Sequence, residues 1–158
     1  MTARTSAGIL LHRGGPRHTE VLLGHMGGPF WARREEGAWS VVKGEYEAPE
    51  PAWEAARREF AEELGLPAPE GEPVPLGEVR QSGGKVVTVW AVAGDLDPGA
   101  VVPGTFTMEW PRGSGRQRDF PEVDRVAWLT LDEAARLIVR AQTVFLDRLA
   151  AHLAGPAP

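Results

Sequence analysis

The chain has 158 residues, 42% of them hydrophobic and 25% charged, with a formal net charge of -5. That size and balance predict one globular domain over residues 1–158, and no apolar run reaches the roughly 18 residues that a membrane-spanning helix needs. The absence of cysteine excludes disulfides and thiolate zinc sites, and the acidic excess argues against stable nucleic-acid binding, which counterion release from a basic stripe would drive.

The segment up to His12 is too short an apolar stretch for a secretory signal, so a cytoplasmic location is expected. Ala7 to His12 and Glu20 to His25 read as strands, separated by the turn chemistry of Arg13-Gly14-Gly15-Pro16-Arg17. A loop with two large aromatics, Phe30 and Trp31, follows. Trp39 to Val42 is a short strand running into Lys43-Gly44. Pro51 to Leu64 is the clearest helix: proline suits its first turn, and Gly65 before Leu66-Pro67 is a stop signal.

A proline-rich connector spans Pro67 to Pro75. Leu76 to Arg80 and Lys85 to Ala93 read as paired strands around Gly83-Gly84. Asp95 to Gly104 reads as loop, and Glu109 to Asp119 as a polar segment with Arg112, Arg116 and Arg118 among glycines. Val123 to Leu129 is a final strand. Thr130 and Glu133 form a capping box that opens a helix through Val139, and Gln142 to Leu153 continues it or forms another. The tail from Gly155 to Pro158 is expected to fray. This order predicts an α/β (α+β) fold with a mixed β-sheet flanked by α-helices.

The chemistry concentrates on the helix from Pro51. On a wheel of about 100° per residue, Trp53, Ala56, Phe60 and Leu64 share a core stripe, while Glu59, Glu62 and Glu63 share another face. Ala52 and Ala55 fall on that acidic side, where they would leave space for a hydrated metal and phosphate. Like-charge pairs at this spacing destabilise a helix by about 0.2–0.5 kcal/mol each. A hard cation with oxygen ligands reverses that sign. It would also let an acidic protein handle a phosphorylated substrate.

Read from Gly44, the chain continues with Glu50 and then with Arg58-Glu59-Phe60-Ala61-Glu62-Glu63-Leu64-Gly65-Leu66. This resembles the Nudix signature at every fixed position: Gly44, Glu50, Arg58, Glu59, Glu62, Glu63 and Gly65. At average residue usage such a match arises by chance about once in a million chains of this length. Phe60 departs from the usual aliphatic residue, but it lies on the core stripe.

The resemblance implies a Nudix-type sandwich and a metal-dependent hydrolase of pyrophosphate linkages. In that reading Gly44, Glu59, Glu62 and Glu63 bind Mg²⁺ or Mn²⁺, and a Glu50–Arg58 pair supports them. Arg58, Glu59 and Glu62 are catalytic, with Glu122 the loop candidate for general base and Glu109 a weaker rival. The substrate is a small nucleotide or polyphosphate. The residues near Trp39, the Lys43-Gly44 step and the Glu122-to-Trp128 spacing resemble diadenosine polyphosphate hydrolases. Nucleoside triphosphate cleanup is the close alternative, and nucleotide sugars remain open. A non-catalytic nucleotide sensor would be expected to lose box carboxylates, and an isoprenoid diphosphate isomerase would want a cysteine; this chain keeps the first and lacks the second. Candidate phosphate contacts are Lys43, Lys85, Arg112, Arg116 and Arg118, the arginines on a lid that could close. Phe30, Trp31 and Trp39 are candidates for stacking on a base. The histidines lack metal-ligand spacing and read as structural or exposed. A homodimer is compatible with all of this.

Overall fold

Residues 4–155 are described by a computed structural model. The first strand, β1 (Thr5–Arg13), lies at the heart of a mixed sheet and is buried along nearly its whole length. Its side chains alternate across the sheet: Ala7, Ile9 and Leu11 join one core and Leu10 the other. Along one edge it pairs in parallel with β6 (Val86–Ala93), which in turn pairs antiparallel with β5 (Val74–Arg80).

The other edge of β1 opens. Its end, at His12 and Arg13, pairs with β2 (Glu20–Met26), whereas its first half pairs with β4 (Val42–Glu45). β3 (Trp39–Ser40) pairs with the far end of β2. The chain from Trp39 to Glu45 therefore wedges between two diverging strands as two short pieces, where the sequence suggested one. At the crossing point, the Val41 N–H donates to the side-chain carbonyl of the fully buried Gln142 at 2.9 Å. The Gln142 amide nitrogen donates onward to Ser40 Oγ and Gln81 Oε1. β9 (Val123–Thr130) completes the sheet on the outer edge of β2.

Helices cover both faces. α1 (Ala52–Leu64) packs Ala55, Ala56, Phe60 and Leu64 against β1 and its neighbours. Burying a side chain the size of Phe60 stabilises by about 1.5–3 kcal/mol. The expected stripe shifts here: Ala55 is fully buried core, so it opens no space beside the carboxylates, while Trp53 is half-buried against Trp90 at 5.4 Å. On the opposite face, α2 (Leu131–Leu137) and α3 (Thr143–Ala154) contribute Ala134, Leu137, Phe145, Leu146 and Leu149. The capping box at Thr130 and Glu133 forms. α2 stops at Leu137 instead of reaching Val139, because Val139 turns its N–H to the Trp39 carbonyl and ties the helix end to the sheet.

The polar segment expected from Glu109 to Asp119 is the end of a β-hairpin, β7 (Thr105–Glu109) and β8 (Gln117–Pro121), in a sheet of its own. No helix among the described residues is long and apolar enough to cross a membrane. Of the tail expected to fray, residues 156–158 lie outside the described residues, and the Gly155 N–H closes α3 on the His152 carbonyl.

Candidate active site

The carboxylates of α1 face β4 across a narrow gap. A Cβ on Gly44 would stand 1.8 Å from Glu59 Oε2, so only glycine lets that carboxylate lie against the strand. Arg58 spans the other side. Its Nε and Nη2 donate to the two oxygens of Glu50, both at 2.8 Å, a bidentate pair of the kind that fixes orientation as well as adding energy. Its Nη1 donates to Glu59 at 2.8 Å and to Glu62 at 3.1 Å. One guanidinium thus ties the loop before the helix to two helix carboxylates. Contact with Glu50, first of all, holds Arg58 far above the ordinary guanidinium range.

The end of α1 is tied to the segment leading into the hairpin. Gly65 adopts a left-handed φ of 70° and caps the helix. The Val102 N–H donates to the Leu64 carbonyl at 2.8 Å and the Gly104 N–H to the Glu63 carbonyl at 3.1 Å. Gly104 in turn accepts from the Glu122 N–H at 2.8 Å. By this route Glu122, far away in sequence, comes to line the same cleft as the helix glutamates.

That acidic half of the cleft, about 510 Å³, is lined by Lys43, Gly44, Glu59, Glu62, Glu63 and Glu122 among others. Burial is the first cause raising the Glu63 carboxyl, joined by repulsion from Glu122 and Glu59, and it is pushed up to about 8. Burial likewise raises Glu59, against the pull of Arg58, and raises Glu122, against the pull of Lys43. Burial lowers the Lys43 ammonium, and the neighbouring charge of Lys85 lowers it further. Lys43 is thus half-buried beside three carboxylates whose proton affinity burial raises.

A second recess of about 350 Å³ adjoins the first and shares Lys43, Glu63 and Glu122 with it. Its other walls are apolar or small: Gly24, Met26, Gly27, Trp31, Val41, Phe106 and Val123. Met26, Phe106 and Val123 were not singled out in the sequence. For Phe106 the available signal was its alternation with Met108, which places both on one side of β7.

The remaining candidates divide. Trp31 lines the apolar recess. Trp39 does not suit the stacking role expected of it. It is 4% exposed, its indole N–H donates to Glu35 at 3.0 Å, and the Arg125 guanidinium sits 5.2 Å from its ring, so no face is left for a base. Phe30 is exposed and meets Trp110 edge-on at 6.3 Å. Arg112, Arg116 and Arg118 are exposed on the hairpin, and Arg118 lies 5.7 Å over the Phe120 ring. Glu109 accepts the Gly113 N–H in the hairpin turn, which commits it to local structure. Lys85 lines neither recess.

As the side chains stand, no three acidic or histidine groups among the described residues converge tightly enough to grip one ion. Glu59 and Glu62 are turned to Arg58. The donor set nevertheless fits a hard divalent cation: every candidate ligand is oxygen, the carboxylates repel one another, and the Arg58–Glu62 contact is half exposed and weak.

A family model described as NUDIX domain matches residues 2–149. Among solved structures, the chain is similar to a C. elegans Ap4A hydrolase binary complex, with a TM-score of 0.68 and 21% identity, covering 98% of this chain and 100% of that one. It is similar to the NUDIX domain of Shewanella oneidensis NrtR complexed with ADP ribose, with a TM-score of 0.64 and 15% identity over 97% and 90% of the two chains. The M. smegmatis Nudix hydrolase RenU is similar too, with a TM-score of 0.60 and 24% identity over 98% and 88%. None of the curated proteins matches the chain.

Proposed function

The chain belongs to the NUDIX domain family, and from that membership we propose that it hydrolyses the pyrophosphate bond of a nucleoside diphosphate linked to another group, dinucleoside polyphosphates first among them. It is a Nudix-type pyrophosphohydrolase, and enzymes of this family generally depend on a divalent metal. The observation that carries the finer reading is the division of the cleft. An acidic half and an apolar half meet at Lys43, Glu63 and Glu122. A nucleoside fits the apolar half, its chain of phosphates crosses the junction, and the bond to be cut lies beside the carboxylates.

Glu59, Glu62 and Glu63, with the Gly44 carbonyl, would hold Mg²⁺ or Mn²⁺. When bound, such an ion polarises a phosphoryl oxygen and acidifies a water. Arg58 orients Glu59 through their contact and, through Glu50, holds the loop against the helix. Lys43 faces the phosphates at the junction and offsets their charge. A Glu122 carboxylate oxygen accepts the proton of the attacking water as its oxygen bonds to phosphorus and the bridging P–O bond breaks. Burial gives that carboxylate a raised affinity for a proton, as the role requires.

The C. elegans neighbour is named as an Ap4A hydrolase, and the Shewanella domain holds ADP ribose; both support a ligand of this general kind. Nucleoside triphosphate cleanup is the second reading, favoured by the size of the apolar recess, about 350 Å³, which suits one nucleoside. The test is product formation from diadenosine tetraphosphate, dATP, ADP-ribose and UDP-glucose with Mg²⁺, in wild type and Glu63→Gln. The expected result is one preferred diphosphate-linked substrate and loss of turnover in the variant. Equal inertness of both proteins across the panel would overturn the reading, and preference for dATP would favour the second.

A further inference from the structure

We propose that His25 is a positioning residue for substrate: its ring clamps the loop that carries Trp31 to the strand that follows Glu122, and so fixes the walls of the apolar half of the cleft. The proposal rests on reading that half as the nucleoside side.

His25, on β2, is 0% exposed. Its Nδ1 lies 2.9 and 3.0 Å from the two carboxylate oxygens of Asp124, and its Nε2 lies 2.6 Å from the Arg34 carbonyl. Both partners are acceptors only. Each ring nitrogen therefore faces an acceptor, and the ring bridges the start of β9 to the loop. The other charged groups facing this cluster are Arg125, from β9, and Glu35, from the loop. Trp39, from β3, meets the ring edge-on at 5.3 Å.

Asp124 reaches His25 because β9 is irregular there. His25 pairs with Arg125 while Met26 pairs with Val123, so Asp124 is the extra residue of a β-bulge. Bulges re-aim a side chain, and they occur beside active sites. The residues next to this clamp are cleft residues. Gly24 precedes His25, and a Cβ there would stand 2.8 Å from Val123 Cγ1; Gly24 and Val123 both line the apolar recess. The Gly27 N–H donates to the Glu122 carbonyl at 3.0 Å.

On the loop side, the fastening is made at successive residues. His25 holds the Arg34 carbonyl, and the Glu35 carboxylate accepts from Arg125 and Trp39. The Arg34 N–H donates to the Trp31 carbonyl at 3.0 Å, closing the turn that presents Trp31 to the recess. Releasing His25 therefore removes the tie at Arg34, beside the one at Glu35, and loosens one wall relative to the other without touching an acidic residue of α1.

The experiment compares wild type, His25→Phe and Asp124→Asn as Mg²⁺-loaded enzymes with diadenosine tetraphosphate, or with whichever of the four nucleotides wild type turns over fastest. His25→Phe keeps volume and removes both ring nitrogens; Asp124→Asn removes the carboxylate at nearly constant shape. Hydrogen exchange is followed without substrate at the amides of residues 31–38. The expected result is a KM raised about 10-fold in both variants, kcat within about 2-fold, and faster exchange in the loop, the pattern of lost binding that is equal in ground and transition states. An unchanged KM in a folded variant overturns the proposal, and Asp124→Asn decides if His25→Phe does not fold. An inert wild type overturns the functional reading and the substrate role with it, while the exchange data still report on the clamp.

Discussion

The acidic half of the cleft hangs on one helix and the strand facing it, locked by the fork of Arg58 on Glu50, Glu59 and Glu62 and by a glycine with no room for a side chain. The apolar half is gathered from β2, the Trp31 loop, the strand crossing at Val41, the β7–β8 hairpin and the start of β9. Its walls are tied by the His25–Asp124 and Glu35–Arg125 contacts and by hydrogen bonds to backbone. One half is preorganised by charge-assisted bonds over a short stretch of chain; the other depends on five segments keeping their spacing. Chemistry tolerates little displacement of its groups, whereas a ligand surface can vary as long as its volume and apolar character remain.

This contrast breaks or sharpens under substitution. The largest effect is expected from Glu122→Gln, which leaves the shape of the junction but removes the proposed proton acceptor. Turnover should fall about 10²–10⁴-fold, with KM nearly constant and no change in melting temperature. Near-normal turnover in this variant would remove Glu122 from the mechanism.

Gly44→Ala should lower kcat about 100-fold, since its Cβ must displace the Glu59 carboxylate from 1.8 Å and misplacement of this order is costly. Steady-state kinetics with rising Mg²⁺ would check it: recovery of the full rate at high metal would limit the fault to affinity. Phe106→Ala addresses the other half. Loss of one aromatic wall should raise KM about 10-fold, in line with about 1–3 kcal/mol for a base–aromatic contact, and leave kcat within a few-fold. If Phe106→Ala damaged kcat as deeply as Gly44→Ala, the division of labour between the halves would fail.

Remote controls should move stability alone. Thr130→Ala removes the cap of α2 and should cost about 1 kcal/mol, seen as a lower melting temperature with unchanged kinetics. The smallest effect concerns pH. Burial, then the nearby charge of His152, holds His12 below its ordinary value, so the folded protein disfavours the protonated ring that the unfolded chain accepts below about 6.5. Its contribution is present above that pH and is lost as pH falls through the folded value. A His12→Asn variant should show a shallower decline in melting temperature between pH 7 and 5.

Much of this was legible in the sequence, for reasons that can be named. The box carboxylates sit within one helix and an adjacent strand, so residue spacing alone places Glu59, Glu62 and Glu63 near Gly44, and Arg58 near Glu50. The strands announced themselves by alternation, and the helix ends by Gly65 and Thr130. The apolar recess could not be read in this way, because Gly24, Trp31, Val41, Phe106 and Val123 meet only once the sheet has formed. Trp39 misled for the same reason: next to Ser40 and Lys43 it belongs to the cleft strand, but the pleat turns it to the α2–α3 side. The wheel also overstated the separation of faces on α1, where Glu59 itself is only 8% exposed. His25 was read as structural or exposed, since a lone histidine in a strand carries no spacing signal. What singles it out is a bulge 99 residues away.

Gly104 has a consequence of a mechanical kind. Its N–H holds the Glu63 carbonyl and its carbonyl holds the Glu122 N–H, so one peptide-length strut separates the backbones of the two acids that share the junction. The same residue is where the hairpin departs. The hairpin is thus an arm mounted on a fixed axle. Arg112, Arg116 and Phe106 can change identity while the interval between Glu63 and Glu122 stays as it was. A scaffold mounted this way can trade one ligand for another at the arm while the interval that sets the chemistry stays outside the exchange.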